Sequence, residues 1–442
     1  MRTFRIGGIH PPENKLSAGK KITALAAPKQ VIIPLSQHIG APAQAVVKKG
    51  DMVKVGTLLA KAGGFVSANI HSSVSGKVNK IDNAIDASGY RRPAVFIDVE
   101  GDEWEETIDR SETLVKECNL SAKEIIDKIA AAGVVGMGGA TFPTQVKLMP
   151  PPGSKAEIVI VNAVECEPYL TADHSLMLAK GEQILVGVTI LMKAVGVNRA
   201  VIGIENNKPD AIAHMQKLAA QYPGVEIMPL KVKYPQGGEK QLIDAVIGKQ
   251  VKSGALPISA GAIVQNVGTV YAVYEAVQKN KPLFERVVTV TGKAVKEPSN
   301  FLVRMGTPIS VLIEAAGGMP ENTGKIIGGG PMMGKALISA EVPVCKGSSG
   351  ILLMTKEESV RKPMHDCIRC AKCVSACPMG LNPAFLMKAT VYQNWEMAEK
   401  ENIQDCIECG SCSYTCPAYR PLLDNIRVGK AKVMGIIRAR KK

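Results

Sequence analysis

The sequence predicts a multidomain chain of α/β and α+β class, on three observations. The first hundred residues are cut into short strands by Gly-centred turns, residues 120–280 alternate strand and helix patterns, and eight of eleven cysteines crowd into two tight runs after residue 360. At roughly 100–200 residues per domain, 442 residues allow several such units.

The opening unit reads as all-β. Val31-Ile32-Ile33-Pro34 is an apolar strand, and Val46 to Ala60 reads strand, Gly50-Asp51 turn, short strand, Gly56 turn, strand; Ser73 to Val78 closes the set. This pattern resembles the barrel-sandwich fold of biotinyl and lipoyl carriers. No carrier lysine stands between Gly63 and His71, so a structural or docking module is expected. In the next region Ile158–Val161, Ala200–Ile204 and Val225–Val232 read as strands. Gly181–Val195 and Asp210–Gln221 read as helices, the second starting just after Pro209. Such βαβαβ order implies a parallel sheet covered by helices on both faces.

Residues 284–355 read as a smaller β-rich unit. Arg286–Gly292 is a strand, Thr307–Ala316 a helix with Pro308 at its first position, and Gly328-Gly329-Gly330-Pro331 a sharp turn. Beyond residue 360, Asn382-Pro383 starts a helix that the pattern carries to Glu401.

The amino terminus lacks an apolar signal core. The most apolar stretch, Ile184–Val197, is interrupted by Lys193, so no membrane-spanning segment is expected and a soluble or peripheral protein is. Net charge is +14, and half of that excess sits between Arg420 and Lys442, where eight basic residues face only Asp424. A basic tail mixed with Val, Met and Ile suits an anionic membrane surface, an acidic partner or simple solvation. No basic patch interleaved with aromatics points to nucleic acid. The six histidines form no ligand pair.

The cysteines carry the sharpest chemistry. From Cys367 the sequence is C-I-R-C-A-K-C-V-S-A-C-P, and from Cys406 it is C-I-E-C-G-S-C-S-Y-T-C-P. Both are the bacterial ferredoxin run, in which three closely spaced thiolates wrap one iron–sulfur cubane and the fourth caps the other. Cys367, Cys370, Cys373 and Cys416 are thus expected on one [4Fe–4S] cluster, and Cys406, Cys409, Cys412 and Cys377 on the second. Zinc sites use separated pairs of ligands, and disulfide frameworks suit small secreted domains; neither describes two runs of four. The helical spacer between the runs favours a helical two-cluster fold.

Two clusters imply an electron source. A glycine-rich loop, Gly133-Val134-Val135-Gly136-Met137-Gly138-Gly139-Ala140-Thr141-Phe142-Pro143-Thr144, is followed by Lys147. Glycines allow close backbone approach to an anion or a flat ring, and the lysine suits a phosphate. The loop resembles that of the NADH- and FMN-binding flavoprotein subunit of respiratory complex I. Three further elements follow in that family's order: Asn162-Ala163-Val164-Glu165-Cys166-Glu167-Pro168, Tyr234-Pro235-Gln236-Gly237-Gly238-Glu239 and Val264-Gln265-Asn266-Val267-Gly268-Thr269. The resemblance implies that Gly136, Gly138, Gly139, Lys147, Asn162, Glu165, Gly237, Gln265 and Asn266 hold FMN. It implies that Phe142, Glu167, Tyr234 and Glu239 meet NADH. Met137, Val164, Cys166 and Gly238 depart from the family pattern and leave fewer polar groups in the pocket; Cys166 reads as a small buried filler.

The order of units closely resembles the RnfC family of Rnf electron-transport complexes. It implies a barrel-sandwich at residues 1–105, a Rossmann-like FMN/NADH domain at 106–280, an SLBB-like β-grasp domain at 281–355 and a helical two-cluster ferredoxin module at 356–442. The implied role is a peripheral subunit on the cytoplasmic side of the membrane. It would move electrons between NADH, through FMN, and the clusters, in a complex that couples ferredoxin/NAD electron transfer to Na⁺ or H⁺ translocation. Its implied partners are neighbouring subunits, NADH, the membrane surface and, through a neighbour, ferredoxin. Two other readings remain: a flavin- and cluster-containing cobalamin reductase of microcompartments, and a scaffold that relays electrons without NADH chemistry.

Overall fold

The computed structural model describes residues 1–440; Lys441 and Lys442, the last of the basic tail, lie outside the described residues. The first 24 residues do not join the barrel. Arg2 bridges to Leu230, Ile9 pairs with Tyr234, and β1 (Ile22–Ala24) runs parallel to a strand near residue 300. The amino terminus is therefore an arm laid across other units. The barrel-sandwich proper packs one sheet of β2 (Gln30–Pro34), β4 (Met52–Val53), β7 (Gly76–Ile85) and β8 (Arg91–Val99) onto another of β3 (Gln44–Ala45), β5 (Leu58–Lys61) and β6 (Ile70–His71). Between them lie Val31, Ile33, Leu59, Val78, Val95 and Ile97, all buried.

The central unit begins with α1 (Ala122–Ala131), whose Ser121 and Glu124 close a reciprocal capping box. After α2 (Thr144–Lys147) come β9 (Ile158–Asn162), α3 (Ala172–Val195), β10 (Ala200–Glu205), α4 (Pro209–Ala219), β11 (Val225–Leu230), α5 (Glu239–Ile247), β12 (Ala262–Asn266) and α6 (Val267–Gln278). The sheet order is β11-β10-β9-β12 and every pair is parallel. Alternation decides what each face buries. Ile158 and Ile160 join a core with Leu242 and Ile243 of α5, while Val159 and Val161 join the larger core under α3 and α6. By length and composition α3 could cross a membrane, at a mean hydropathy of 1.4, despite its interruption at Lys193. In the fold, however, 67% of that window is buried inside the protein.

The third unit is a six-stranded mixed sheet, β1-β14-β13-β17-β15-β16, built from β13 (Glu285–Thr291), β14 (Ser299–Arg304), β15 (Thr323–Gly328), β16 (Lys335–Ala336) and β17 (Gly350–Thr355). Its helix α7 (Ile309–Ala315) packs Leu312 and Ile313 on Val288, Val290, Phe301 and Val303. Pro308 stands just before this helix rather than at its first position.

Past α8 (Lys356–Ser359) the described chain is helical: α9 (Lys372–Ala376), α10 (Pro383–Val391), α11 (Trp395–Lys400), α12 (Ser411–Tyr414) and α13 (Leu422–Arg440). The single helix expected to Glu401 is two. Gln393 takes φ +54°, and the Asn394 side chain caps a new start at Met397 N. Of the basic tail, Leu422–Arg440 folds as α13, burying Leu422, Ile426 and Val433 beside Leu386 and Ala398. Three of its cations pair within the module: Arg427 and Lys430 with Glu408, and the exposed Arg440 with Glu399.

Candidate functional site

In an open parallel sheet, ligands bind beyond the carboxyl ends of the strands, where the strand order reverses. Here that point lies between β9 and β12, and the sequence motifs converge on it. Asn162 ends β9, Gln265 and Asn266 end β12, and the glycine-rich loop lies over them. At Gly138 a side chain would bring a Cβ to 2.8 Å from Asn266 Nδ2, so only glycine lets the loop lie this close.

Several expected ligand groups prove to be employed on backbone. Asn266 Oδ1 accepts from Gly268 N and Thr269 N, capping α6, while its Nδ2 donates to Asp173. Glu165, strained at φ +46°, accepts Asp173 N at 2.8 Å and His174 N at 3.1 Å at the start of α3. Asn162 donates to Gly237 O and accepts from Val164 N. These three shape the crevice rather than offer free atoms to it. Lys147 and Glu239, expected to meet different ligands, pair with each other at 2.8 Å, and Lys147 also donates to Val264 O. Phe142 is half-buried and holds the loop closed by accepting Gly136 N through its carbonyl; Gly139 has open space at its Cα. Glu167 reaches the third unit, where Met332 N and Met333 N donate to its carboxylate; burial pushes its pKa up to about 7.

Among the buried side chains with unpartnered atoms, Gln265 leaves its whole amide over. The Gln265 amide is 2% exposed, and neither Oε1 nor Nε2 has a partner among the described residues. Buried amides are normally satisfied, so an unpaired one at the switch point fits a crevice built for a polar ring. FMN is therefore compatible with the residues present: Gln265, Lys147 and the backbone of Gly138 and Gly139 would be the groups to hold it.

Tyr234, expected to meet NADH, is 2% exposed, and its hydroxyl donates to Cys409 O at 2.8 Å. Sequence reasoning also missed Asp173, whose burial beside Glu165 raises its pKa to about 7, and two cations under the loops. Arg286 donates to Met137 O, and Lys15 on the amino-terminal arm donates to the carbonyls of Glu165, Glu167 and Leu170. None of these has a local motif, because each acts on a partner far away along the chain.

Four of the eight run cysteines converge on one cavity. Cys377, Cys406, Cys409 and Cys412 line one small apolar cavity with Ile407 and Leu423. Three of their sulfurs also make hydrogen bonds: Leu381 N donates to Cys377 Sγ and Glu408 N to Cys406 Sγ, and Cys409 Sγ meets Ser411 Oγ, each at 3.4 Å. An apolar cage with hydrogen bonds at sulfur suits a cubane held by four thiolates. In the other set, burial and then the nearby Cys416 push the Cys373 thiol pKa up, while Cys367 and Cys370 are exposed.

Comparison with known proteins agrees with this geometry. Residues 3–102 match the RnfC barrel sandwich hybrid domain, 129–275 the Nuo51 FMN-binding domain, 287–336 the SLBB domain and 359–417 the 4Fe-4S dicluster domain. The chain is 48% identical to the C component of the proton-translocating ferredoxin:NAD(+) oxidoreductase complex of Clostridium ljungdahlii, over 98% of this chain and 94% of that one. It is 45% identical to the C component of the Na(+)-translocating complex of Acetobacterium woodii, over 98% and 97%. A NAD+-reducing [NiFe]-hydrogenase crystal structure shares the fold at a TM-score of 0.50 and 19% identity, covering 71% of this chain and 63% of that one. With near-full-length identity of this order, the chain belongs to the RnfC family of the ion-translocating ferredoxin:NAD(+) oxidoreductase (Rnf) complexes.

Proposed function

We propose that this chain is the subunit of an ion-translocating ferredoxin:NAD(+) oxidoreductase complex that exchanges electrons with NADH and carries them on two [4Fe–4S] clusters. The observation that carries this conclusion is one chain holding both a switch-point crevice with an unpaired buried amide and a small apolar cavity lined by four cysteines of the ferredoxin runs. Bound FMN supplies the exchange between the two-electron chemistry of NADH and the one-electron chemistry of the clusters.

The chain's own residues do the rest. Gln265, Lys147 and the Gly136–Gly139 backbone hold the flavin. Asn162, Glu165 and Asn266 fix the loops around it, and Glu239, released from Lys147, faces the nucleotide. Cys377, Cys406, Cys409 and Cys412 hold the cluster nearer the crevice; Cys367, Cys370, Cys373 and Cys416 hold the outer one, open to neighbouring subunits. The protein sits peripherally on the cytoplasmic side of the membrane. The burial of α3 inside the central unit and the exposed Lys432 and Arg438 of α13 support this placement. The cobalamin-reductase alternative gives way to the family assignment. The relay alternative keeps one observation in its favour, the mutual pairing of Lys147 and Glu239.

The test is anaerobic addition of NADH to reconstituted full-length protein containing FMN and about eight irons. Bleaching of the flavin followed by cluster reduction is expected. A loaded protein that ignores NADH would leave only the relay.

A further inference from the structure

We infer that Tyr234 is a positioning residue: together with Gln241 and the amino-terminal arm it clamps the Cys377/Cys406/Cys409/Cys412 cluster loops onto the flavin domain, and it does not serve the nicotinamide. The inference rests on the cofactor content proposed above.

Three donors from outside the cluster module reach three carbonyls that bracket the inner ligands. Tyr234 Oη donates to Cys409 O at 2.8 Å, Gln241 Nε2 to Pro378 O at 3.2 Å, and Gly8 N to Ala376 O at 3.0 Å. Two of those carbonyls flank Cys377 and the third belongs to a ligand itself. The arm is laid directly against the joint. At Gly7, φ +65°, a Cβ would stand 2.4 Å from Cys377 O, so no larger residue fits there. Ile9 and Tyr234 exchange two backbone hydrogen bonds of 2.9 Å, so arm and tyrosine move as one. The joint is also dry: Tyr234, Ile9, Ala376 and Cys409 form one buried apolar cluster, with Cys166, Met332 and Ile407 around it. Cys166 thus fills space, as its sequence context suggests.

Among the described residues the outer loop has no such fastening. His365, just before it, exchanges bonds with Ala418 and Arg420, both inside the module. The asymmetry gives the clamp its purpose. Transfer between two bound centres depends on a fixed separation, and a hydrogen-bonded, water-excluded joint fixes it. A tyrosine only 2% exposed, with its ring packed and its one proton donated to Cys409 O, has no open face to stack on a nucleotide and no proton left to give it.

The experiment uses the full chain loaded with FMN and iron–sulfur, as wild type, Tyr234→Phe and Gln241→Leu. Stopped-flow absorbance with NADH reads flavin bleaching and cluster reduction separately, and hydrogen-exchange mass spectrometry reads the amides of residues 374–380 and 407–411. In both variants flavin bleaching should keep its rate and its dependence on NADH concentration. Cluster reduction should slow by about tenfold or more, and exchange in both segments should quicken. The clamp is overturned if Tyr234→Phe raises the NADH concentration needed for bleaching while cluster reduction and exchange match wild type. It is also overturned if neither variant alters exchange. The exchange measurement decides the clamp even in a protein that NADH fails to bleach, so failure of the proposed function and failure of the clamp are told apart.

Discussion

The two cysteine runs are the same motif twice, yet the fold treats them differently. Cys377, Cys409 and Cys412 are buried, while Cys367 and Cys370 face solvent. Spacing governs which thiolates can reach one cubane, because that is a matter of a few residues of loop. Exposure is governed by what packs on the loop: the flavin domain and the amino-terminal arm lie against the second run and against Cys377, the last cysteine of the first, and leave Cys367 and Cys370 uncovered. One motif therefore yields an inner centre tied to the crevice and an outer one open to a partner.

The largest expected effect comes from removing one centre at a time. Cys370→Ser and Cys412→Ser should each lose about four irons. With Cys370→Ser, NADH should still reduce the remaining cluster, seen by EPR. With Cys412→Ser, the remaining cluster should stay oxidised on the same time scale. The opposite pattern would invert the order of the two centres. Next in size is chemical lability. Mild oxidant should remove iron in two phases, the Cys367/Cys370 cluster first, because its ligands are exposed and the other set is enclosed. Loss in a single phase would mean that the packing difference does not protect the inner centre.

A smaller effect sharpens the comparison from the side of the scaffold. The module's helices α10 and α13 meet at Gly429, where a Cβ would stand 2.1 Å from Thr390 Oγ1; at Gly435, on the same helix, a Cβ meets nothing within 4 Å. Gly429→Ala should therefore cost about 1–3 kcal/mol by overpacking. Gly435→Ala should stabilise by roughly 0.5–1 kcal/mol through helix propensity. Urea unfolding followed at the cluster absorbance compares them, and equal effects would show that the two helices are not packed as described.

What is legible in the sequence follows the same division between local and distant. The ferredoxin runs, the parallel strands and the loop motifs are contiguous signals, and the structure has the strands and the loop at those places. β1 escapes notice because Ile22 pairs with Asn300, and a parallel pairing at such distance leaves no local trace. Tyr234 reads naturally with its neighbours Gly237 and Glu239, but its hydroxyl answers to Cys409, 175 residues on. The motifs of Asn162, Glu165 and Asn266 do lead to the crevice. Their atoms are spent on helix ends and turns because Asn and carboxylates satisfy backbone N–H groups as readily as they bind a ligand. Gln265, whose role in the sequence comes only from its motif, is the one of these whose amide the fold leaves free.

The smallest effect concerns protons, and it separates the crevice from the cluster module. Glu167, Asp173 and Glu205 each have a pKa raised to about 7, chiefly by burial. For Asp173 the nearby Glu165 adds to the rise, while Asn266, Arg286 and Lys208 oppose it. A carboxyl whose pKa is higher folded than unfolded holds its proton longer in the folded state. Its contribution is full below the ordinary carboxyl range and is lost as pH rises through about 7. The cofactor-free chain should accordingly melt at lower temperature at about pH 8 than at about pH 5.5, with the fall starting above about pH 4 and levelling off above about pH 7. Asp173→Asn keeps an acceptor for Asn266 Nδ2 and removes one of the three titrations, so it should flatten the slope without abolishing it. Identical slopes in the two proteins would mean that Asp173 is ionised in the folded crevice. The buried carboxylate would then have to be neutralised by Arg286, making that arginine, rather than a proton on Asp173, the group that lets Asp173 lie beside Glu165.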